Sequence, residues 1–372
     1  MPKDNPGPPI RVLVIDGSPS VRDLLVAVLQ GAPGIEVVGT GANGEDALRL
    51  VNRLKPDVVT MDIRMPKLDG MEATRRIMRE MPTRIVMVVA SMMHADMGLT
   101  FEAIKAGALT VIRKPGLNDP ETCEKVIQTV RLMADVPVIH HWGTRSAQDA
   151  GRMTTTLDLN LRSTTPALRA GASVRNPQSA IKIVGIAAST GGPAALATVL
   201  GELPADFALP ILVVQHVTPG FAVGLAEWLN TQTPLNVSLA GHGETPQPGT
   251  VLIAPDHYHM QVNLRGMVEL VKEPPYKGLR PSANYLFRSL ARAFGPQAMG
   301  VILTGMGDDG AEGLEVLHLA GGLTIAQDES SSVVYGMPRE AAARNAVDRV
   351  LPLDQVAWAL VSRRNHKQDG AV

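Results

Sequence analysis

The chain has 372 residues, which is long for one domain and gives each of two domains enough residues to bury a core. Hydrophobic residues make up 45% and charged residues 19%, as in globular proteins, and no apolar run reaches the roughly 18 residues of a membrane span. A net charge of −1 gives no electrostatic footprint for nucleic acid. Because Cys123 is the single cysteine and the first residues lack the apolar stretch of a signal peptide, we expect a cytoplasmic protein.

Short apolar runs alternate with amphipathic stretches from Arg11 to about Asn118, as in V-L-V-I, V-V-T-M-D and I-V-M-V-V-A. A polar, aperiodic segment rich in Gly, Pro, Ser and Thr follows to about Ser179, and the alternation returns from Ile181. This pattern predicts an α/β protein of two doubly wound domains joined by a polar linker. The stretch H-M-Q-V-N-L-R-G-M-V-E-L-V predicts an antiparallel ribbon, so we expect the second sheet to be mixed although mostly parallel.

Four residues with reactive side chains end successive predicted strands of the first half: Asp16, Asp62, Ser91 and Lys114. Function collects at the carboxyl ends of strands in a parallel sheet. An acid, a carboxylate nucleophile, a hydroxyl and an ammonium group suit transfer of a phosphoryl group to Asp62, with Ser91 and Lys114 sensing it. Taken singly, each residue is explained as a cap, a turn or a surface residue, but four strand ends in succession favour the phosphoryl site.

Residues 10–128, with M-D-I-R-M-P-K-L-D-G and the Lys-Pro pair after the last strand, resemble the receiver domain of two-component response regulators. The resemblance implies phosphorylation of Asp62 by a histidine kinase, with Mg²⁺ held by Asp16 and Asp62. Receivers usually carry a second acid directly after the first, and that position is Gly17 here. Because Mg²⁺ is often bound by one or two carboxylates, we expect weakened Mg²⁺ binding and slow or partial phosphorylation.

Ser189 ends a predicted strand directly before a helix, where it is exposed and where backbone N–H groups can bind an oxyanion. A helix cap is the simplest alternative. A phosphate loop opened by Gly191 and Gly192 is another, although neither common phosphate-binding motif is present. His216 ends the next strand, and adjacent parallel strands would bring it beside Ser189 as a general base.

An orienting acid is expected at a third strand end, where L-T-G-M-G-D-D-G-A supplies Asp308 and Asp309. Ser, His and Asp then occur in an order different from that of the α/β-hydrolases. A triad is defined by geometry rather than by order, so the set predicts a serine hydrolase.

Four segments, A-S-T-G-G, Q-H-V-T-P-G-F, R-P-S-A-N-Y-L-F-R-S and L-T-G-M-G-D-D-G-A, resemble the catalytic domain of the chemotaxis protein-glutamate methylesterase family. The resemblance implies Ser189 as nucleophile, His216 as base and Asp309 as acid, with Thr190 and Met306 near the oxyanion and substrate pocket. It also implies the order of receiver, linker and catalytic domain, which we place at residues 10–128, 129–179 and 180–365.

Some residues depart from the pattern of this family: Ala187, Leu279 and Asn284. We expect none of them to touch the triad and all of them to bear on substrate contacts. His257 and His259 are interpreted as residues at the pocket edge or surface; a metal site is the alternative, but it lacks an evident third ligand.

The resemblance implies a phosphorylation-regulated hydrolase that removes methyl esters from glutamates of chemoreceptors and deamidates specific receptor glutamines. Hydrolysis needs no cofactor, the receiver restrains the site, and phosphorylation loosens it. The expected partners are methyl-accepting chemoreceptors and a chemotaxis histidine kinase, without nucleic acid and without membrane insertion. A transcription factor is the first alternative, but the second half has no basic recognition helix. The second is a non-catalytic or phosphorylation-independent chemosensory adaptor of the same fold; the intact Ser, His and Asp set argues against a non-catalytic one.

Overall fold

The computed structural model describes residues 8–90, 94–117, 119–134, 136 and 180–362. It contains two separate parallel sheets, each flanked by helices, and one small antiparallel ribbon. The predicted architecture of two α/β domains is therefore confirmed. Most of the predicted linker lies outside the described residues, and so does the predicted switch residue Ser91. Among the described residues, no helix combines the length and the apolar character needed to span a membrane.

The described residues of the first domain form five strands and five helices. Its strands are β1 (Ile10–Ile15), β2 (Ile35–Gly41), β3 (Val58–Met61), β4 (Arg84–Val89) and β5 (Thr110–Arg113). Its helices are α1 (Pro19–Gln30), α2 (Gly44–Leu54), α3 (Gly70–Glu80), α4 (His94–Lys105) and α5 (Pro120–Ala134). The parallel strands lie in the order β2-β1-β3-β4-β5, the flavodoxin-like arrangement, so the crevice between β1 and β3 is the topological switch point.

Helix α5 extends past the boundary predicted at residue 128. Its apolar stripe continues through Val126, Val130 and Met133, which are all fully buried. Since buried residues at helical spacing keep a helix packed on its sheet, α5 ends at Ala134 and any linker begins after it.

The second domain has a larger sheet. Its nine strands are β6 (Ile183–Ala188), β7 (Ile211–Gln215), β8 (Asn236–Leu239), β9 (Thr250–Ile253), β10 (His259–Val262), β11 (Val268–Val271), β12 (Ala298–Ile302), β13 (Leu323–Gln327) and β14 (Arg349–Leu351). Seven of them form the order β14-β13-β12-β6-β7-β9-β8, and every neighbouring pair is parallel. Strands β6 and β12 are buried along their whole length, as expected when helices cover both faces.

The antiparallel ribbon of β10 and β11 is a separate two-stranded sheet, so the expectation of a mixed second sheet is wrong. The ribbon packs its buried residues Met260 and Val262 into a core shared with a neighbouring helix instead of extending a sheet edge. The Val262 N–H also donates to the Ser289 hydroxyl at 3.0 Å, which ties the ribbon to that helix.

Six helices surround the second sheet: α6 (Gly192–Gly201), α7 (Ala222–Gln232), α8 (Ala283–Phe294), α9 (Ala311–Leu319), α10 (Met337–Ala343) and α11 (Leu353–Ser362). The chain leaves β6 toward β7 on one side and later returns to its other side with β12. The strand order therefore reverses at β6, which is where α/β sheets form their ligand crevice.

The two domains contact each other through α4 and α7. Phe101 of α4 is buried, stacks on Trp228 with ring centroids 5.4 Å apart and meets Phe221 edge-on at 6.2 Å. The Trp228 indole N–H donates to Glu102 at 3.2 Å. An aromatic side chain of the first domain is thus part of the core of the second.

Candidate active site and phosphoacceptor site

Ser189 lies in a tight turn between β6 and α6, and two glycines make that turn possible. Gly191 has φ of 78°, and a Cβ there would lie 2.5 Å from the Val333 Cβ. A Cβ on Gly192 would lie 1.9 Å from the Gln215 Oε1. Since a side chain at either position would overlap its neighbours, this sequence presents Ser189 on a sharp, closely packed turn.

His216 follows β7, the neighbour of β6, and its N–H donates to the Ala188 carbonyl at 3.0 Å. The buried Gln215 amide joins the two strand ends, because its Nε2 lies 2.7 Å from the Ser189 carbonyl oxygen and 3.0 Å from that of His216. Carbonyl oxygens only accept, so the amide nitrogen must face them. Gln215 was not among the residues predicted for the site. A polar side chain within the apolar run P-I-L-V-V-Q-H-V is the sequence signal that could have identified it.

The His216 imidazole bonds to Asp309, with 2.8 Å between Nε2 and Oδ2. An ionised carboxylate only accepts, so Nε2 carries the proton and Nδ1 is the ring nitrogen that can take one from a serine. Within the described chain no hydrogen bond joins the Ser189 hydroxyl to this ring. Such bonds often form only when substrate is bound.

Four hydrogen bonds hold Asp309, which is 2% exposed. The Ser282 hydroxyl at 2.6 Å and the Asn284 amide at 2.8 Å donate to Oδ1. The Ala283 N–H at 2.7 Å shares Oδ2 with His216. Burial acts to raise the pKa of Asp309, but the bonds and charge of His216 and the α8 donors outweigh it, so this pKa lies below its ordinary value.

Three further residues of the predicted site differ in their surroundings. Within the described chain the backbone N–H groups of Thr190 and Met306 donate to no protein acceptor, and the Met306 side chain is 55% exposed. Asp308 points away from the triad and forms an ion pair with Lys277. The two adjacent acids therefore differ, with Asp309 buried on His216 and Asp308 at the surface.

The expectation that Asn284 lies apart from the triad is wrong. Asn284 is 1% exposed, and besides its bond to Asp309 it accepts the Gly313 N–H at 2.6 Å. The reason is that α8 begins at the triad, with Ser282 capping it, so its first residues become donors to the carboxylate.

The interpretation of His259 as a pocket-edge or surface residue is also wrong, because it is fully buried. Its ring stacks on Tyr285 with centroids 3.9 Å apart, whereas His257 is exposed as expected. In the described part of the chain no three His, Cys, Asp or Glu side chains are grouped as a metal site. The H-x-H pair therefore points in two directions instead of converging on one ion.

The first domain brings Asp16, Asp62 and Lys114 together at the switch point between β1 and β3. The Lys114 Nζ lies 2.8 Å from an oxygen of Asp16 and 2.8 Å from one of Asp62. Burial raises the pKa of Asp62 and the Asp16 carboxylate adds to this, while the Lys114 ammonium opposes it. Two buried carboxylates thus share one cation.

The residues at this point fit a magnesium ion, although with one carboxylate fewer than receivers usually have. Asp16 and Asp62 supply carboxylate oxygens, and the Arg64 carbonyl oxygen lies 3.3 Å from where a Cβ on Gly17 would stand. Oxygen donors of this kind are those that Mg²⁺ prefers. The shared Lys114 ammonium shows that the carboxylates converge on a cation.

Known proteins match both halves of the chain. The family model for the CheB methylesterase matches residues 184–360, and that for the response regulator receiver domain matches residues 12–127. Protein-glutamate methylesterase/protein-glutamine glutaminase 4 of Myxococcus xanthus is 45% identical and covers 95% of this chain and 97% of the relative. The protein of that name from Nitrosospira multiformis is 44% identical and covers 97% of this chain and 100% of the relative.

Among solved structures, the CheB methylesterase catalytic domain of Thermotoga maritima is 37% identical, with a TM-score of 0.48, covering 49% of this chain and 98% of that one. The fold and the two sites define a two-domain enzyme in which a receiver precedes a serine hydrolase domain. Identity of 45% to a relative over nearly the whole length identifies the family of this enzyme: the chain belongs to the protein-glutamate methylesterase/protein-glutamine glutaminase family.

Proposed function

We propose that the chain removes methyl esters from glutamate residues of chemoreceptors and deamidates specific receptor glutamines, under control of its receiver. The observation that carries this proposal is the His216–Asp309 pair, held by the first residues of α8 beside the Ser189 turn. Its support from relatives is their shared name and nearly full-length similarity.

In the proposed acylation step, Ser189 Oγ attacks the ester carbonyl carbon while His216 Nδ1 takes the hydroxyl proton. Asp309, ionised and fully bonded, stabilises the imidazolium and keeps Nε2 as the donor. The N–H groups of Thr190 and Met306 are free to donate to the oxyanion. Collapse of the intermediate breaks the C–O bond, and His216 returns the proton to methanol.

In the proposed deacylation step, water adds to the acyl-enzyme as His216 takes one of its protons. The products are the glutamate carboxylate and a free Ser189 hydroxyl. A glutamine side chain passes through the corresponding tetrahedral intermediate, which carries NH₂ in place of OCH₃; His216 returns the proton to the leaving ammonia, and the same acyl-enzyme results. We propose that Ser189, His216 and Asp309 carry out both reactions without a cofactor.

The proposed regulation is supported by contact between the domains. Phe221, against which Phe101 packs, directly precedes α7 and lies five residues after His216. Val333 lies next to the Ser189 turn and packs against the core of the first domain. We propose that these contacts restrain the site and that phosphorylation of Asp62 loosens them. Magnesium bound at Asp16 and Asp62 would neutralise charge on the incoming phosphoryl group.

The proposed partners are chemoreceptors as substrates and a histidine kinase as phosphodonor. Ser91 and Lys114 would sense the phosphoryl group. The proposed domain limits are those of the sequence analysis, except that the linker starts after Ala134. A cytoplasmic location fits a phosphorelay and a chain with the single cysteine Cys123.

The decisive experiment measures methanol release from methylated receptor membranes by the full chain, with and without a small-molecule phosphodonor. We expect release by the wild type, none by Ser189→Ala, and stimulation by phosphodonor that is lost in Asp62→Ala. A chain that starts near Ala180 should be faster than the unphosphorylated full chain. No release by the wild type would refute the esterase, and a slow truncated chain would refute the restraint.

A further inference from the structure

His259 is a buried histidine that the proposed reaction does not use. A single residue, Ser282, connects it to the orienting acid Asp309. Its Nδ1 is 3.1 Å from the Ser282 nitrogen, and Ser282 donates its hydroxyl to Asp309. On the other side of the ring, Nε2 is 3.1 Å from the Pro274 carbonyl oxygen. The residue therefore bridges the end of the ribbon segment and the start of α8.

The two neighbours determine the protonation of the His259 ring. The Ser282 N–H can only donate, so Nδ1 must be unprotonated. The Pro274 carbonyl can only accept, so Nε2 must carry the proton. A neutral Nε2–H imidazole satisfies both partners, whereas a charged ring would set an Nδ1–H against the Ser282 N–H.

The start of α8 matters because it supplies three of the four donors to Asp309, namely Ser282, Ala283 and Asn284. Ser282 is the cap of the helix, with its hydroxyl also 3.3 Å from the Asn284 nitrogen. A shift of the Ser282 backbone would therefore displace three hydrogen bonds to the carboxylate together. The acceptor that holds this backbone N–H is His259.

We propose that His259 is a positioning residue for Asp309: as a neutral acceptor it fixes the first turn of α8, and through it the carboxylate that orients His216. The inference rests on the proposed hydrolysis, because a displaced Asp309 would lower the rate by misorienting the general base His216. Misplacement of a catalytic group by about 1 Å costs on the order of 10²-fold in rate.

The surroundings of the ring favour the neutral form. Burial lowers the pKa of His259 and the Arg280 guanidinium lowers it further, while the Pro274 carbonyl, Asp309 and Glu273 act in the opposite direction. The Tyr285 ring covers one face of the imidazole, with an interplanar angle of 10°. The neutral acceptor is thus the form that this site stabilises.

Two substitutions of His259 distinguish a role as hydrogen-bond acceptor from a role in filling space. His259→Asn places an amide oxygen near the position of Nδ1 and keeps the acceptor for Ser282. His259→Gln is closer to histidine in volume, but its amide reaches the position of Nε2 and leaves the Ser282 N–H without a partner. A role in filling space predicts that Gln is tolerated better, whereas the positioning role predicts that Asn is.

The test measures kcat and KM for methanol release from methylated receptor membranes with the full chain. We expect His259→Gln to lose about 10- to 100-fold in kcat with KM nearly unchanged, and His259→Asn to stay within about threefold of wild type. His242→Gln is the matched control, because the Nδ1 of this exposed residue also accepts a backbone N–H, that of Leu270, but does not contact the triad. It should keep wild-type kinetics.

The outcomes distinguish failure of the positioning role from failure of the proposed hydrolysis. Equal kcat for the two variants, or a better Gln than Asn, overturns the positioning role while an active wild type leaves the proposed function standing. If neither variant folds, ¹⁵N imidazole spectra of the wild type decide: an unprotonated Nδ1 on His259 supports the proposal, and a protonated Nδ1 overturns it. An inactive wild type refutes the hydrolysis itself.

Discussion

Both domains carry acids at the ends of parallel strands, but the two sites satisfy those acids in opposite ways. Asp16 and Asp62 share the single ammonium of Lys114. Asp309 accepts four hydrogen bonds and has its pKa held below the ordinary value. The first pair is neutralised by one side-chain cation, an arrangement that suits the proposed phosphoacceptor role of Asp62, whereas the second carboxylate is fixed by four donors.

This difference shows what each proposed role requires from its surroundings. A phosphoacceptor must change its charge, so its partners have to be replaceable. An orienting acid must keep a histidine in one tautomer, so its partners have to be fixed and buried. Substitutions at the second site should therefore have large effects on the chemical step, and those at the first should have smaller effects on control.

Asp309→Asn should cause the largest loss. The amide cannot stabilise a charged imidazole, and its NH₂ group would face donors on α8, so we expect kcat for methanol release to fall by about 10³- to 10⁴-fold. Asp308→Asn is the matched control, because the neighbouring acid pairs with Lys277 at the surface. It should stay within about twofold, and an equal loss in both variants would contradict the assigned roles.

Phe101→Ala should raise the activity of the unphosphorylated chain. The ring is buried between Trp228 and Phe221, so its removal weakens the contact between the domains. Allosteric couplings of 5- to 150-fold are typical, and we expect roughly tenfold faster methanol release without phosphodonor. Lys105→Ala, which removes an exposed hydrogen bond to Gln232, should have little effect. Unchanged activity in a folded Phe101→Ala chain would argue against restraint.

Gly17→Asp should tighten Mg²⁺ binding to the full chain by about three- to tenfold, because a further carboxylate adds an oxygen ligand and a negative charge. This change in affinity corresponds to about 0.7 to 1.4 kcal/mol. The new Cβ would stand 3.3 Å from the Arg64 carbonyl oxygen, which is close but tolerable after a small shift. Gly17→Asn introduces the same crowding without charge. Isothermal titration with Mg²⁺ that gives equal affinity for the two variants would show that position 17 does not supply a ligand.

The pH dependence of stability should show the smallest effect. The pKa of His259 in the folded chain lies below its ordinary 6.5. Between this lowered pKa and pH 6.5, the unfolded chain therefore binds more protons than the folded chain. Its contribution to the free energy of unfolding is therefore present above pH 6.5 and is lost as the pH falls, by at most about 1.4 kcal/mol per pH unit. Urea unfolding from pH 8 to pH 5 should give a shallower slope for His259→Asn, and parallel slopes would contradict this.

The alternation of apolar runs was enough to predict two α/β domains, because short Val/Ile-rich segments between amphipathic stretches form parallel sheets covered by helices. It was also enough to collect the candidate residues, since strand ends of one sheet meet along one edge. Ser189, His216 and Asp309 each follow a strand, and those strands are neighbours. The location of these three residues along one edge of the sheet could therefore be predicted from sequence, although their roles stay proposals.

The contacts around Asp309 were decided by tertiary structure alone. Ser282 and Asn284 reach it because α8 starts at the sheet edge, and His259 reaches Ser282 because the ribbon packs on that helix as a separate sheet. Local sequence pattern carries the period of each element but not the angle at which a helix or ribbon crosses the sheet. Packing of the shared core determines that angle, and with it which distant polar groups bond to each other.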